Sequence, residues 1–238
     1  MNRAIFTFSA IFVALLLSYG LHQALDVAPT EATMGNVQRI FYYHASSFAV
    51  AFAMFGVNLI ASVFYLLRRK TSSALAADAI AVSAAELGVI FCSIGLMGGM
   101  LWAKPVWGIW WTWDARLTST FVLWLIYVSY LMLRRLAEGD QAPTLAAALA
   151  IFGFVDVPIV YMSIRWWRTQ HPQPVIFGEA GQSGLDPAML TALLVNIGAF
   201  LCYGALVFAV RYKLERARQA LREVQAIRSI ELARMEAR

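Results

Sequence analysis

Six long apolar runs, separated by short polar stretches, divide the 238 residues of this chain. A helix needs about 20 mostly apolar residues to cross the hydrocarbon core of a bilayer. The pattern therefore predicts an all-α polytopic membrane protein with six transmembrane helices. The predicted helices cover residues 4–25, 40–67, 79–103, 118–133, 144–164 and 188–210.

Composition supports a membrane protein and sets the domain organisation. Hydrophobic residues make up 61% of the chain and charged residues only 14%, which excludes water-soluble fold classes. Because the runs fill most of the sequence, residues 1–210 are predicted to form one membrane domain, without a separate catalytic domain. Residues 211–238 are predicted to form a cytoplasmic basic tail.

The tail is predicted to be an amphipathic helix. Its apolar residues recur at helical spacing. Basic residues on such a helix suit the anionic inner leaflet or a cytoplasmic partner, and a solvated helix fits equally well. The residues with this spacing are Leu214, Ala217, Leu221, Val224 and Ile227.

Lysine and arginine are distributed unevenly between the two sides of the predicted helices, and cytoplasmic flanks carry the excess. Both termini are therefore predicted to be cytoplasmic, and the loop between helices three and four faces outward. The first run is predicted to stay as an uncleaved helix, because its apolar character continues to Leu25. Fourteen basic residues lie on the cytoplasmic side, and the five on the other side are Arg39, Lys104, Arg116, Arg165 and Arg168.

The outward loop is rich in tryptophan. Residues 102–118 read W-A-K-P-V-W-G-I-W-W-T-W-D-A-R-L-T and hold five of the eight tryptophans. Aromatic belts at membrane interfaces also concentrate tryptophan. The density of this loop nevertheless suggests a flat aromatic surface with a charged edge.

Two histidines are predicted on the same outward side. His44 lies one turn inside helix two, and His171 follows an R-W-W-R sequence in the third outer segment. Imidazole is a haem-iron ligand, flat aromatics suit a porphyrin, and arginine pairs with carboxylates. A haem site is one interpretation, while a quinone, a small apolar ligand or simple packing would need only part of this set.

Missing motifs narrow the chemistry further. The chain contains no G-x-x-x-x-G-K-[ST] sequence, so it is not expected to hydrolyse nucleotide. It contains no C-x-x-C-H, so any haem would be bound without a covalent link. No catalytic residue and no nucleic-acid site are predicted, and the chain is expected not to be an enzyme.

Several residues inside the helices are predicted to be structural. Glu86 is expected to face the bundle interior or a partner subunit, and Asp156 to have a role in the bundle. Pro158 can kink helix five. Gly95 and Gly99 form a small-xxx-small pair that lets another helix approach closely.

The segment W-G-x-W-W-x-W-D-A-R-L-T, from Trp107 to Thr118, resembles the WWD motif of the haem-handling proteins of cytochrome c biogenesis. The R-I-x-Y-x-H stretch before it and the W-W-x-T-x-H stretch after it are similar to one branch, the haem exporter protein C (CcmC) family. The similarity covers nearly the whole chain. The chain departs from the family at Ala45-Ser46, where members often read V-P after the histidine.

This resemblance implies a site and a function. It implies that His44 and His171 are the axial ligands of a non-covalent haem b. The porphyrin would be held by Trp107, Trp110, Trp111, Trp113, Asp114 and Arg116.

The same resemblance implies a location and partners. Haem would be presented at the periplasmic face of the bacterial inner membrane to the haem chaperone CcmE. The chain would work beside the ABC-type subunits CcmA and CcmB and the small protein CcmD. The alternatives are a haem lyase of the CcsA or CcmF type, a bis-histidine electron-transfer cytochrome, and an assembly subunit that binds no haem.

Overall fold

The computed structural model describes residues 2–137, 141–172 and 184–236. Within these residues, six helical spans are long and apolar enough to cross a membrane, which confirms the predicted fold class. The same residues form no β-strand beyond one isolated bridge between Glu31 and Gly35. Residues 138–140 of the predicted inner turn and residues 173–183 of the predicted third outer segment lie outside the described residues.

In the described residues, seven α-helices build the six spans. The first is extended by a π-helical turn over Gln23–Val27, and a 3₁₀ turn over Asn36–Arg39 precedes the second. The helices are α1 Arg3–His22, α2 Ile40–Arg68, α3 Ser73–Trp107, α4 Ala115–Leu136, α5 Ala142–Phe154, α6 Asp156–Trp166 and α7 Pro187–Glu236.

The fifth span is broken near its centre. Helix α5 ends at Phe154 and α6 begins at Asp156, so one residue, Val155, separates two helices that share a 25-residue span. Pro158 lies in the first turn of α6, where its missing N–H removes one i to i−4 hydrogen bond. The break therefore lies beside the proline that the sequence identified.

The core lies between α2, α3 and α4. The rings of Phe55 and Tyr127 are fully buried and stack with centroids 3.8 Å apart. Helix α1 lies at the edge of the bundle, and only 11% of the residues in its most apolar window are buried. Most of the apolar surface of α1 therefore lies outside the bundle.

Helix α7 runs without interruption across the predicted domain boundary at residue 210. Its 50 residues correspond to a length of about 75 Å at 1.5 Å per residue. A bilayer core takes up only about 30 Å of that length. The rest of α7 extends beyond the predicted membrane run, and the division at residue 210 stays a prediction.

Two networks of ion pairs hold α7 and α4 against α3. They lie at the end of the bundle where α2 and α4 end and where the predicted membrane run of α7 ends. We call this end the basic end. Arg211 of α7 pairs with Glu86 of α3 and with Glu215, whose carboxylate is 2.9 Å away. Arg134 of α4 pairs with Asp78 of α3. Glu86 therefore faces the bundle and pairs within its own chain.

Candidate functional site

A cavity of about 330 Å³ opens at the opposite end of the bundle, called the tryptophan end, where α3 ends and α4 begins. Its volume falls within the range of about 300–1,000 Å³ that is usual for small-molecule pockets. Residues of α2, α3, α4, α6 and α7 line it, together with the loop between α3 and α4. Apolar side chains form its deeper part, among them Phe48, Phe52, Leu96, Leu193 and Ile197.

His44 lines this cavity from α2. Its Nδ1 atom lies 2.8 Å from the carbonyl oxygen of Gly95 on α3. A carbonyl oxygen can only accept a hydrogen bond, so Nδ1 must carry the proton and donate it. The lone pair is thereby assigned to Nε2, which is the nitrogen available for a metal.

Two glycines of α3 make room for side chains of α2, Gly99 for His44 and Gly95 for Phe48. A Cβ atom built on Gly99 would lie 3.0 Å from Cε1 of His44 and 3.3 Å from its Nδ1. A Cβ atom on Gly95 would lie 2.7 Å from the ring of Phe48, one turn further along α2. The predicted small-xxx-small pair therefore packs α3 against the face of α2 that carries His44.

His171 lies across the cavity, just after α6. Its Nδ1 atom lies 2.9 Å from the carbonyl oxygen of Pro172, and its backbone N–H donates to Oγ1 of Thr169 at 3.1 Å. By the same argument as for His44, Nε2 holds the lone pair. Burial, and then the positive charge of Arg116, lower the pKa of His171 below its ordinary value. The imidazole is therefore neutral at neutral pH, as a metal ligand must be.

The two imidazoles face a common space at a spacing that suits one metal ion between them. Their ring centroids are 6.4 Å apart and their planes differ by 32°. Metal–imidazole bonds are about 2 Å long, so two imidazoles on opposite sides of one ion have ring centroids roughly 6 Å apart. Residues separated by most of the chain thus form a bis-histidine pair.

Four tryptophans line the cavity around this pair, namely Trp102, Trp107, Trp110 and Trp111. The rings of Trp102 and Trp107 meet edge to face with centroids 5.1 Å apart. The indole Nε1 of Trp111 is buried and has no hydrogen-bond partner among the described residues. A buried donor without an acceptor is costly, so this N–H is available to a bound ligand.

Trp113 and Asp114 are the predicted site residues that the structure places away from the cavity lining. Trp113 is 73% exposed and packs against the edges of Trp111 and Phe121. The carboxylate of Asp114 accepts a hydrogen bond from the backbone N–H of Leu117 at 2.9 Å and forms the N-cap of α4. Asp114 thus determines where the loop ends and α4 begins.

Arg116 lines the cavity and also joins two elements. Its Nη1 atom donates to the carbonyl oxygens of Val160 and Tyr161 at 2.5 and 3.4 Å, which ties the start of α4 to α6. Lys104 donates to the carbonyl oxygen of Gly108 at 2.9 Å, outside the cavity lining. Neither Arg165 nor Arg168 is part of the described lining. Of the five basic residues predicted to face outward, Arg116 is the one that lies in the described part of the lining.

Sequence reasoning missed the apolar floor of the cavity. Phe48 and Phe52 follow His44 at intervals of four residues, so the three side chains lie on one face of α2. Tyr161 of α6 and Trp102 of α3 also line the cavity. The i, i+4 spacing was a usable signal for the phenylalanines, whereas no local pattern marks Tyr161.

The sequence pattern of one protein family, Heme exporter protein C (CcmC), matches residues 1–227. A Bradyrhizobium diazoefficiens protein named Heme exporter protein C is 33% identical over 225 residues, covering 94% of this chain and 83% of that protein. The Escherichia coli K12 protein of the same name is 32% identical, covering 86% of this chain and 80% of that protein.

A plant relative extends the comparison. An Arabidopsis thaliana protein named as a putative cytochrome c biosynthesis ccmC-like mitochondrial protein is 30% identical, over 84% of this chain and 73% of that protein. The comparisons thus place this chain in a class of proteins named for haem export and cytochrome c biosynthesis. This chain is a member of the heme exporter protein C family.

Proposed function

We propose that this chain binds haem non-covalently between His44 and His171 and hands it on during cytochrome c maturation. The observation that carries the proposal is the pair of imidazoles, 6.4 Å apart between ring centroids and each with Nε2 left for iron. Haem is the cargo in this proposal, and the chain is a binding and transfer subunit.

The composition of the site favours haem over a bare metal ion. The described residues contain no group of three or more His, Cys, Asp or Glu side chains that could hold a metal ion. Two histidines supply two ligands, while a porphyrin brings the four equatorial nitrogens itself. The two histidines therefore supply the two protein ligands that haem iron needs.

The walls of the cavity support the same cargo. Tryptophan rings and the phenylalanines of α2 offer apolar faces to a flat macrocycle. Arg116 and the N–H of Trp111, which has no partner in the described residues, offer hydrogen bonds to carboxylates, which haem carries as propionates. Trp113 and Asp114 would act from outside the lining, as an exposed edge and a helix cap.

The family membership and the distribution of basic residues support a location and partners. The tryptophan end would face the periplasm, because most lysines and arginines lie at the basic end. Haem would then be presented from the bacterial inner membrane to the chaperone CcmE. CcmA, CcmB and CcmD would form the rest of the complex, with the nucleotide site on another chain.

Absorbance spectra of the purified complex from haem-replete cells test the axial ligands. His44→Ala and His171→Ala should each abolish the low-spin spectrum of haem with two histidine ligands. His22→Ala is the matched control, because His22 is an exposed histidine at the end of α1 that bonds Asp26 of the following π-helical turn. An unchanged low-spin spectrum in both ligand variants would overturn the proposal.

A transfer assay tests the hand-over. The purified haem-loaded chain is mixed with haem-free CcmE, and the haem bound to each protein is measured after they are separated. Transfer to CcmE supports the proposed function. Haem that stays on this chain and cycles reversibly between oxidation states would favour an electron-transfer cytochrome.

A further inference from the structure

The fifth span carries an acid near mid-membrane depth that is not neutralised within the described residues. Asp156 lies near the centre of the 25-residue span Ala142–Trp166. One of its carboxyl oxygens, Oδ2, is buried and has no hydrogen-bond partner there. Ionisable residues at this depth are costly and usually pair with another group, as Glu86 and Asp78 do at the basic end.

The backbone beside Asp156 offers a second acceptor. Helix α5 ends at Phe154, and Pro158 has no N–H to donate to the carbonyl of Phe154. The carboxylate of Asp156 and the carbonyl of Phe154 are together called the Asp156 notch. The notch therefore presents a carboxylate oxygen without a partner in the described residues, beside a carbonyl that lacks its usual donor four residues further along.

The notch borders a surface that the described chain leaves open. Phe152 is 67% exposed and Val155 is 59% exposed, and both lie within the same membrane span. Lipid tails contain no hydrogen-bond donor, so lipid alone cannot satisfy the notch. Polar side chains that hydrogen-bond across neighbouring helices are a usual solution in membranes.

A second copy of this chain cannot supply the missing donor as a cation. Every lysine and arginine lies outside the six apolar runs, at or beyond their ends. Copies side by side in one membrane would therefore present no cation at the depth of Asp156. We propose that the Asp156 notch binds a transmembrane helix of a different protein that carries lysine or arginine at mid-membrane depth. The proposal does not depend on haem binding.

Photo-crosslinking in intact membranes tests this inference. A photoreactive amino acid is placed at Phe152, beside the notch, and as a control at Ile60 of α2, which is 71% exposed. The crosslinked peptides are identified by mass spectrometry. The position-152 probe should capture one foreign membrane span with a lysine or arginine within about one helical turn of the attachment point, and the position-60 probe should not.

Variants of Asp156 add a second test in the same cells. Asp156→Ala should reduce the position-152 crosslink at least tenfold at equal levels of the chain, whereas Asp156→Glu should retain it. Replacing the partner's basic residue by Asp should remove the position-152 crosslink, and Asp156→Lys should restore it. Crosslinks to lipid only, to another copy of this chain, or to a span without a basic residue would each overturn the proposal.

Discussion

The two ends of this bundle differ in how their charged and polar side chains are paired. At the basic end, Arg211 is shared between Glu86 and Glu215, and Arg134 is paired with Asp78. At the tryptophan end, His44 and His171 use one ring nitrogen each for the backbone and leave the other to the cavity. The ion pairs join helices of the bundle, whereas the second ring nitrogen of each histidine is available to a ligand.

The largest effect is expected from breaking the basic end. Arg211→Ala would leave two carboxylates without their common partner, and removing one member of a buried pair costs about 3–5 kcal/mol of unfolding free energy. Equilibrium unfolding in mixed micelles measures this loss. The haem spectrum per folded molecule should stay unchanged, because the cavity lies at the other end.

Arg218→Ala is the control for that experiment. Arg218 is 52% exposed and lies 3.8 Å from the carboxylate of Glu215, so its removal should cost less than about 1 kcal/mol. Equal losses for the Arg211 and Arg218 variants would contradict the view that the buried network stabilises the bundle.

The next effect concerns the room that α3 leaves for His44. Gly99→Ala would place a methyl group 3.0 Å from Cε1 of His44 and push the ring out of position. Overpacking of this kind costs about 1–3 kcal/mol, so haem affinity should fall about fivefold or more. Haem titration followed by absorbance measures the change.

Gly98→Ala provides the matched comparison on the next residue. Its Cβ would lie 3.7 Å from Cβ of His44, which is an ordinary van der Waals distance. Haem affinity should therefore stay within about twofold of the unsubstituted chain, a difference below 0.5 kcal/mol. A larger loss for Gly98→Ala than for Gly99→Ala would show that His44 is not held by this contact.

A smaller effect distinguishes the role of Asp114 as a helix cap from a role in ligand binding. Asp114→Ala should lower the unfolding free energy by about 1 kcal/mol, because the N-cap bond to Leu117 is lost. Asp114→Asn should restore most of it, since asparagine caps equally well. If Asp114→Asn keeps stability but loses haem, the carboxylate has a role in haem binding that its position outside the lining does not explain.

The smallest effect is a shift with pH. Burial and the charge of Arg116 lower the pKa of His171. The folded chain therefore favours the neutral imidazole over the protonated one. Above a pH of about 6.5 the imidazole of His171 is mostly neutral, because its pKa is lowered below that ordinary value, and haem ligation should not change. Below it, protonation should progressively remove His171 from the iron, with a midpoint below 6.5 in an absorbance titration.

Arg116 variants sharpen this titration. Removing the charge in Arg116→Gln should raise the pKa of His171 and move the midpoint to higher pH, while Arg116→Lys should leave it nearly unchanged. A midpoint that does not move in Arg116→Gln would contradict an electrostatic role for Arg116 at His171.

Much of the fold could be predicted because each membrane span is determined locally. The predicted runs at 40–67 and 118–133 match α2 and α4 to within three residues at each end. The third run was predicted to begin at residue 79, but α3 begins at Ser73. Asp78 lowers the local hydropathy there, yet its pairing with Arg134 lets the helix continue past it.

Less of the candidate site could be predicted, because it is assembled from distant segments. The histidines and the tryptophan loop were identifiable from their residue types and motif. Hydropathy cannot show that Trp113 turns away from the cavity while Trp102 turns into it. Nor can it show that Arg116 bonds to carbonyl groups of α6, which lie more than 40 residues further along the chain.

By itself the sequence determined the six spans and the residue types that could bind haem, since hydropathy and motifs are local properties. It also predicted that the tryptophan loop faces outward. Only the tertiary structure decided which polar groups find partners. It brought Glu86 to Arg211, set His44 opposite His171, and left Asp156 without a partner in the described residues. The physical reason is that pairing depends on how helices pack, and packing joins residues that are far apart in the chain.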